Sequence, residues 1–197
     1  MKVIAITGGI ASGKSAVAQA LAEALLCPWC SCDQLVHRLL SAPEVVAEIE
    51  ASFPGVVSVE GGLDRGALAG IVFSSSDRRL KLESIVHPRV LRAVEEWIAI
   101  NATAAAMGVV EVPLLYEVDF PIKRDVDIVV ACSERNQIRR LALRKTDSGR
   151  AVDRIGAQMP MAEKISRAQV VIWNDGSLGT LNRLVALAAR GIHQKLQ

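Results

Sequence analysis

Eight residues near the start of the chain, Gly8-Gly-Ile-Ala-Ser-Gly13-Lys14-Ser15, restrict what this sequence can fold into more than any other segment. They fit the pattern G-x-x-x-x-G-K-[ST], with an apolar run before them and a helical pattern after. Glycines at 8, 9 and 13 let the backbone curl so that N–H groups point inward at a positive helix end, forming a nest for phosphate oxygens. Lys14 is placed to reach the β- and γ-phosphates, and Ser15 to offer its hydroxyl to Mg²⁺. A chance match arises about once in a hundred chains of this length. The expected ligand is therefore a nucleoside triphosphate with Mg²⁺. A guanine-specific switch protein would also carry Asn-Lys-x-Asp after a strand, and that run does not occur.

A strand that feeds such a loop implies an α/β fold, and the rest of the chain supplies the strands. Val3–Thr7 has no polar alternation, so it reads as a strand buried on both faces. Runs around Trp29–Cys32, Gly108–Val112, Val126–Ala131 and Gln169–Trp173 complete five candidate parallel strands. Between Lys14 and Leu26, Val17, Leu21 and Leu25 recur at four-residue steps, one face of a helix. About seventy residues separate the second and third strands, too many for a simple crossover. They read as a helical insertion over a substrate, with a turn at Gly61-Gly62 and a Pro88 that opens a long helix ending near Ile100. The expectation is one three-layer domain with a five-stranded parallel sheet. Its core is about 1–33, 106–133 and 168–197; the helical substrate insertion is about 34–105; an arginine-rich lid is about 134–167.

Composition excludes several classes. A formal net charge of +2 on 197 residues gives no global attraction to nucleic acid or to an anionic membrane. The apolar stretch from Trp97 to Val118 is broken by Asn101, Gly108, Glu111, Pro113 and Glu117, so it is not a membrane span. No secretory leader precedes the glycine loop, and a cytoplasmic protein is expected. The sequence sets no oligomeric state. Cys27, Cys30 and Cys32 could seed a zinc or redox site, but no second ligand pair follows them; buried thiols beside a strand are the simpler reading.

Ligands in open α/β sheets bind at the carboxyl ends of the strands, so the remaining candidates are sought there. Asp33 ends the second strand. It can be the N-cap of the following helix, or the carboxylate that orients an acceptor hydroxyl and takes its proton. From Arg135 to Lys145 the chain carries Arg135, Arg139, Arg140, Arg144 and Lys145 and no acid. Arg140 and Arg144 are four apart and would share a helix face. Such a face repels itself, and a transferring phosphoryl group is a natural partner, for Arg144 first. His87 before Pro88 is either a cap or a substrate contact. Trp29, Trp97 and Trp173 are expected to fill core, although Trp173, next to Asn174, could instead lie near an adenine.

The order of these blocks resembles the dephospho-CoA kinases. The likeness begins with Thr7-Gly-Gly-Ile-Ala-Ser-Gly-Lys-Ser15 and Asp33, and continues through Gly62-Leu-Asp64-Arg65, Leu68 and Ile71-Val-Phe73. It runs on through Leu82-Glu-Ser-Ile-Val-His87-Pro88 and Val112-Pro113-Leu-Leu-Tyr116-Glu117. It closes with Arg154-Ile-Gly-Ala-Gln158-Met159-Pro160, Glu163-Lys164 and Val170-Val-Ile-Trp-Asn174. The resemblance implies transfer of the ATP γ-phosphoryl group to the ribose 3′-hydroxyl of dephospho-CoA. On matching positions it implies ATP contacts from Ala11 to Ala16, including Ser12, Gly13, Lys14 and Ser15, with Gly8, Gly9 and Asn174 beside them. It implies Asp33 as the catalytic carboxylate; Asp33, with His87 and Glu117 as candidates beside it, is expected to contact the substrate.

Three positions depart from the family. Ser31-Cys32-Asp33 stands for the usual Asp-Ala-Asp, so only the second carboxylate is kept. Ala16 replaces the usual Thr after Ser15. Glu111 stands where Asp is common, an acid still suited to holding Mg²⁺ through water. A kinase for another small acceptor, such as a nucleoside monophosphate, and a non-catalytic ATP-binding regulator are the alternatives at this stage.

Overall fold

A computed structural model of the chain describes residues 1–197 apart from Ser74, 145–147 and Gln197, and apart from the side chains of Phe73, Ser148 and Arg150. Among the described residues the elements begin with β1 (Lys2–Gly8), α1 (Lys14–Leu25), β2 (Trp29–Ser31), α2 (Cys32–Leu39) and α3 (Pro43–Ser52). They continue with α4 (Arg65–Phe73), α5 (Ser76–Asn101), β3 (Met107–Glu111), β4 (Val126–Ala131) and α6 (Glu134–Leu143). The last are α7 (Ser148–Gly156), α8 (Met161–Arg167), β5 (Val170–Trp173) and α9 (Leu178–Leu196). They form two compact units, one of Met1–Ser31 with Trp97–Gln197 and one of Cys32–Glu96.

The first unit holds a five-stranded sheet in the order β2-β3-β1-β4-β5, with parallel pairing throughout. Ile4 and Ile6 of β1 and Val126, Ile128 and Val130 of β4 pack with Val17 and Leu21 of α1 and with Leu181, Val185, Ala189 and Ile192 of α9. The residues of opposite parity, Val3, Ala5, Thr7, Asp127, Val129 and Ala131, are also buried. Both faces of the sheet are thus covered, which is why these strands carry no polar alternation. This is the three-layer P-loop kinase fold. Each fully buried Val, Leu or Ile contributes about 1.5–3 kcal/mol, so α1 and α9 are held chiefly by this face.

The register aligns the strand ends. Ile6 pairs with Glu111 of β3 and Gly8 with Val130 of β4, so β1 delivers the glycine loop between the ends of its two neighbours. Chain order reverses direction at β1, the switch point at which such sheets open a crevice.

The second unit is helical. Val45, Ile49, Phe53, Val56, Leu68 and Ile85 form its core. Asp64 starts α4 by accepting the N–H groups of Gly66 and Ala67 at 2.9 and 3.0 Å. Pro88 does not open a helix, as the sequence suggested; it lies inside α5. Proline removes one backbone bond and crowds the preceding turn. Here Ile85 on one side of it and Val90 and Val94 on the other are all buried, and packing on both sides holds the helix through the defect. His87 is accordingly a mid-helix residue and not a cap. Among the described residues no helix is long and apolar enough to cross a membrane.

Candidate functional site

Each glycine of the loop answers to a particular neighbour. Gly8 has φ +148, and a Cβ there would lie 2.1 Å from the Val130 carbonyl oxygen. A Cβ on Gly9 would meet Gln137 Nε2 at 2.5 Å and Met161 Cε at 2.7 Å. Gly13 has φ +98, and its Cβ would fall 2.4 Å from Asn174 Nδ2. Side chains from distant parts of the sequence therefore press directly on the loop. Between them, Ser12 N donates to the Gly9 carbonyl at 3.2 Å, closing the curl. Ala11 sits in the left-handed region at φ 57 with a side chain that is buried, a conformation that costs an L-residue about 1–2 kcal/mol.

Lys14 donates through Nζ to the Gly8 and Gly9 carbonyls at 3.3 and 2.9 Å, so its ammonium lies over the loop. Ser15 Oγ donates to Glu111 Oε1 at 2.8 Å. The pairing of β1 with β3 produces this contact, because it sets Glu111 level with Ile6 at the sheet's end. Glu111 is buried at 2% exposure, and its Oε2 has no hydrogen-bond partner. A buried carboxylate oxygen without a donor is costly, and a hard cation with oxygen ligands would satisfy it. Among the described residues no three His, Cys, Asp or Glu side chains are grouped to hold a metal ion. The pair Ser15–Glu111 thus suits Mg²⁺ that takes most of its oxygens from water and phosphate.

Arg140 has a different environment from the one its neighbours in sequence suggest. It donates to the carbonyls of Ala11 at 3.2 Å, Ser12 at 3.1 Å and Asn174 at 2.7 Å. Asn174 in turn is buried, donating Nδ2 to the Ser12 carbonyl and its backbone N–H to Ala131, each at 2.7 Å. Arg140 shares its helix face with Gln137 and Leu141, which are buried. Arg144, four residues further on, is the exposed C-cap of α6, which ends at Leu143. The arginine cluster is split between an anchor and an exposed side chain. Lys145, counted with them, lies outside the described residues.

Glu117, expected to touch substrate, accepts through Oε1 from Met159 N at 3.2 Å and pairs with the fully buried Lys164 at 2.5 Å. Desolvating an ammonium is expensive unless it is paired, so the presence of Lys164 at 0% exposure accounts for an acid in this loop. Gln158 Oε1 accepts the Ile10 N–H at 2.7 Å. Gln137 Nε2 donates to the Ile10 carbonyl at 2.8 Å.

The other sequence candidates lie as follows. Asp33 is exposed and is the second residue of α2, in its first turn, two positions past the cap. There a carboxylate still complements the helix dipole. His87 is half-buried. Ala16 is exposed, while Ser31 is buried and paired in register with Glu111. Trp173 does not fill core: it is 48% exposed, because it stands on the outer side of the edge strand β5 and its indole N–H donates to Asp175 at 2.9 Å. Trp29 flanks the main core, and Trp97 closes over Gly108. Cys30, Cys32 and Cys132 are buried and Cys27 is half-buried. Burial pushes the Cys132 thiol up, which keeps it protonated near neutrality.

Sequence reasoning does not single out Gln137. A signal exists: within an arginine-rich helix it is the polar residue three before Arg140, on the face that continues to Leu141. Lys164 stands out in the sequence only as part of a motif, since nothing in a linear chain announces that a lysine is buried.

With this geometry in place, the comparisons with known proteins agree. The family model for dephospho-CoA kinase matches residues 2–180. A dephospho-CoA kinase of Syntrophotalea carbinolica is 39% identical over 195 residues, covering 96% of this chain and 92% of its own. A crystal structure of a protein from Thermus thermophilus matches with a TM-score of 0.83 at 34% identity, covering 100% of this chain and 98% of that one. A dephospho-CoA kinase from Campylobacter jejuni shares the fold, with a TM-score of 0.74 at 24% identity over 100% of both chains. The chain belongs to the dephospho-CoA kinase family.

Proposed function

We propose that the protein transfers the γ-phosphoryl group of ATP to the ribose 3′-hydroxyl of dephospho-CoA, yielding coenzyme A and ADP, in the cytoplasm. The observation that carries the reading is the glycine loop with Ser15 bonded to the buried Glu111, whose second oxygen has no partner. A loop of this kind binds polyphosphate, and the adjoining acid supplies what a bare anion site lacks, a place for its cation.

In this reading backbone N–H groups from Ala11 to Ala16 hold the phosphates, while Gly8, Gly9 and Gly13 admit the close neighbours described above. Lys14 leaves the Gly8 and Gly9 carbonyls for the β- and γ-phosphate oxygens. Ser15 directly, and Glu111 through water, would hold Mg²⁺, which neutralises phosphate charge when bound. Asn174 supports the loop beneath the nucleotide. The acceptor is held by Asp33, His87 and Glu117. The Asp33 carboxylate takes the proton of the 3′-hydroxyl as its oxygen bonds to the γ-phosphorus. The bond from that phosphorus to the β–γ bridging oxygen breaks, and ADP leaves with the electron pair. An ordinary carboxylate is a weak base, but in a loose transition state the proton departs late and orientation matters more than basicity. Arg144, exposed at the end of α6, meets charge on the transferring group. Arg140 contributes by holding the loop. Residues of about 134–167 act as a lid that excludes water, and about 34–105 as the acceptor-binding insertion.

The test is incubation with ATP, Mg²⁺ and dephospho-CoA, with mass-spectrometric detection of the 3′-phosphorylated product. A parallel panel of nucleoside monophosphates separates the acceptor classes. Asp33→Asn should lower kcat by about 10²–10⁴-fold with ATP affinity largely kept. Unchanged turnover in that variant removes Asp33 from the mechanism; product from a monophosphate alone removes dephospho-CoA.

A further inference from the structure

We propose that Gln137 and Gln158 are positioning residues that set the phosphate loop for nucleotide by gripping Ile10 on both of its backbone polar groups. The inference deepens the kinase reading and rests on it for the identity of the ligand. Gln158 Oε1 receives the Ile10 N–H at 2.7 Å, and Gln137 Nε2 gives to the Ile10 carbonyl at 2.8 Å. The chemistry dictates which way each amide faces, since a backbone N–H can only donate and a carbonyl can only accept. The two amides come from opposite ends of one long segment. Gln137 is on α6, and Gln158 lies in the turn between α7 and α8.

Three further observations show a built arrangement. Gln137 is 5% exposed, which is unusual for a glutamine without a structural use. Its approach requires Gly9, where a Cβ would stand 2.5 Å from Nε2. The second glycine of the loop thus leaves the room that Gln137 and Met161 take up. The turn carrying Gln158 is itself pinned, because the next residue, Met159, donates its N–H to Glu117, which is locked to buried Lys164.

The consequence is specific. The Ile10 N–H is directed to Gln158, so it is withdrawn from the nest, and phosphate recognition begins at Ala11. With the Ile10 backbone fixed, the following N–H groups keep their inward orientation before ligand arrives. Without the clamp the nucleotide must impose that shape, and affinity falls.

The experiment compares Gln158→Met, which fills the same space without an acceptor, with Gln158→Glu, which keeps one, and with Gln137→Met. Full-length protein is used, and the probe is ADP binding by calorimetry. Gln158→Met and Gln137→Met should each weaken ADP about tenfold, as loss of one well-made hydrogen bond that leaves its partner unsatisfied would do. KM for ATP should rise with KM for dephospho-CoA unchanged, and the Ile10 amide should lose protection from hydrogen exchange. Gln158→Glu should return ADP affinity to within about threefold of the parent, the remaining difference reflecting its added charge. If Met variants that melt cooperatively bind ADP as the parent does, the clamp has no positioning role. A drop in melting temperature with KM for ATP unmoved leads to the same rejection. Because ADP binding needs no acceptor, failure of dephospho-CoA as substrate would leave this result readable.

Discussion

Two turns that carry positive-φ glycines, one at Gly55 and one at Gly8 to Gly13, are held in opposite ways. In the helical unit, the turn at Gly55–Val57 is fixed by a neighbour: Glu50 accepts the N–H groups of Gly55, Val56 and Val57 at 2.7, 2.9 and 2.9 Å. In the sheet unit, the loop from Gly8 to Ser15 is fixed by residues far along the chain, Glu111, Gln137, Arg140, Gln158 and Asn174. The first loop is a local device that would hold wherever its helix folded. The second has its shape only once β3, α6 and the ends of β4 and β5 are assembled. A binding loop built the second way is preorganised by the whole unit. It is also exposed to damage from any part of that unit.

The contrast can be broken at its glycines. Gly8→Ala should be the more severe, by roughly 3 kcal/mol, because a Cβ 2.1 Å from the Val130 carbonyl oxygen can be relieved only by moving backbone. ADP binding should be lost with it. Gly55 is also at a positive φ, +88, but a Cβ there would meet nothing within 4 Å. Gly55→Ala should cost about 1 kcal/mol and leave ADP binding untouched. Equal effects of the two in chemical denaturation would mean that the distant neighbours contribute nothing.

Acid sharpens the same contrast through Asp175. Its Oδ1 accepts from Ser133 N at 2.9 Å, Ser133 Oγ at 3.1 Å and Asn136 Nδ2 at 2.8 Å, tying the start of α6 to the end of β5. Burial works to raise its pKa but is outweighed by the bonds from Asn136, Ser133 and Trp173, which hold it down at about 2. A folded pKa below the unfolded one means stability that is present above about pH 4 and lost as pH falls toward 2. Melting temperature against pH should therefore drop more over that range in the parent than in Asp175→Asn. Parallel curves would show that the carboxylate carries no such linkage.

The smallest expected effect is a gain. Ala11 at φ 57 bears a left-handed penalty that glycine escapes, partly offset by glycine's greater freedom when unfolded. Ala11→Gly should stabilise the protein by about 0.5 kcal/mol in denaturant melts, with ADP affinity retained. Destabilisation would mean that burial of the Ala11 methyl outweighs the backbone cost.

Much of the fold is legible in the sequence where short-range rules apply. The strands show because burial on two faces leaves uninterrupted apolar runs, and α1 because its buried residues recur at helical spacing. The loop shows because its glycines, lysine and serine are adjacent in sequence. Readings fail where a local rule meets packing. Proline favours first turns, so Pro88 reads as a helix start, yet buried residues on both sides carry α5 through it. Composition alone gives Arg140 and Arg144 one role, but Arg140 is bonded to the loop's carbonyls while Arg144 is exposed at the helix end. Hydrophobicity assigns Trp173 to core, and an edge strand leaves it exposed.

By itself the sequence determined the kind of site, since a phosphate nest needs its residues consecutive and its pattern is therefore written in one place. It also determined the fold class, because sheet and helix periodicities are properties of short segments. Only the tertiary structure decided what each glycine admits, where the arginine goes and which amides hold Ile10. Those contacts depend on distances between segments that no linear order records. The pairing of β1 with β3, which sets Ile6 level with Glu111, is what brings Ser15 to Glu111.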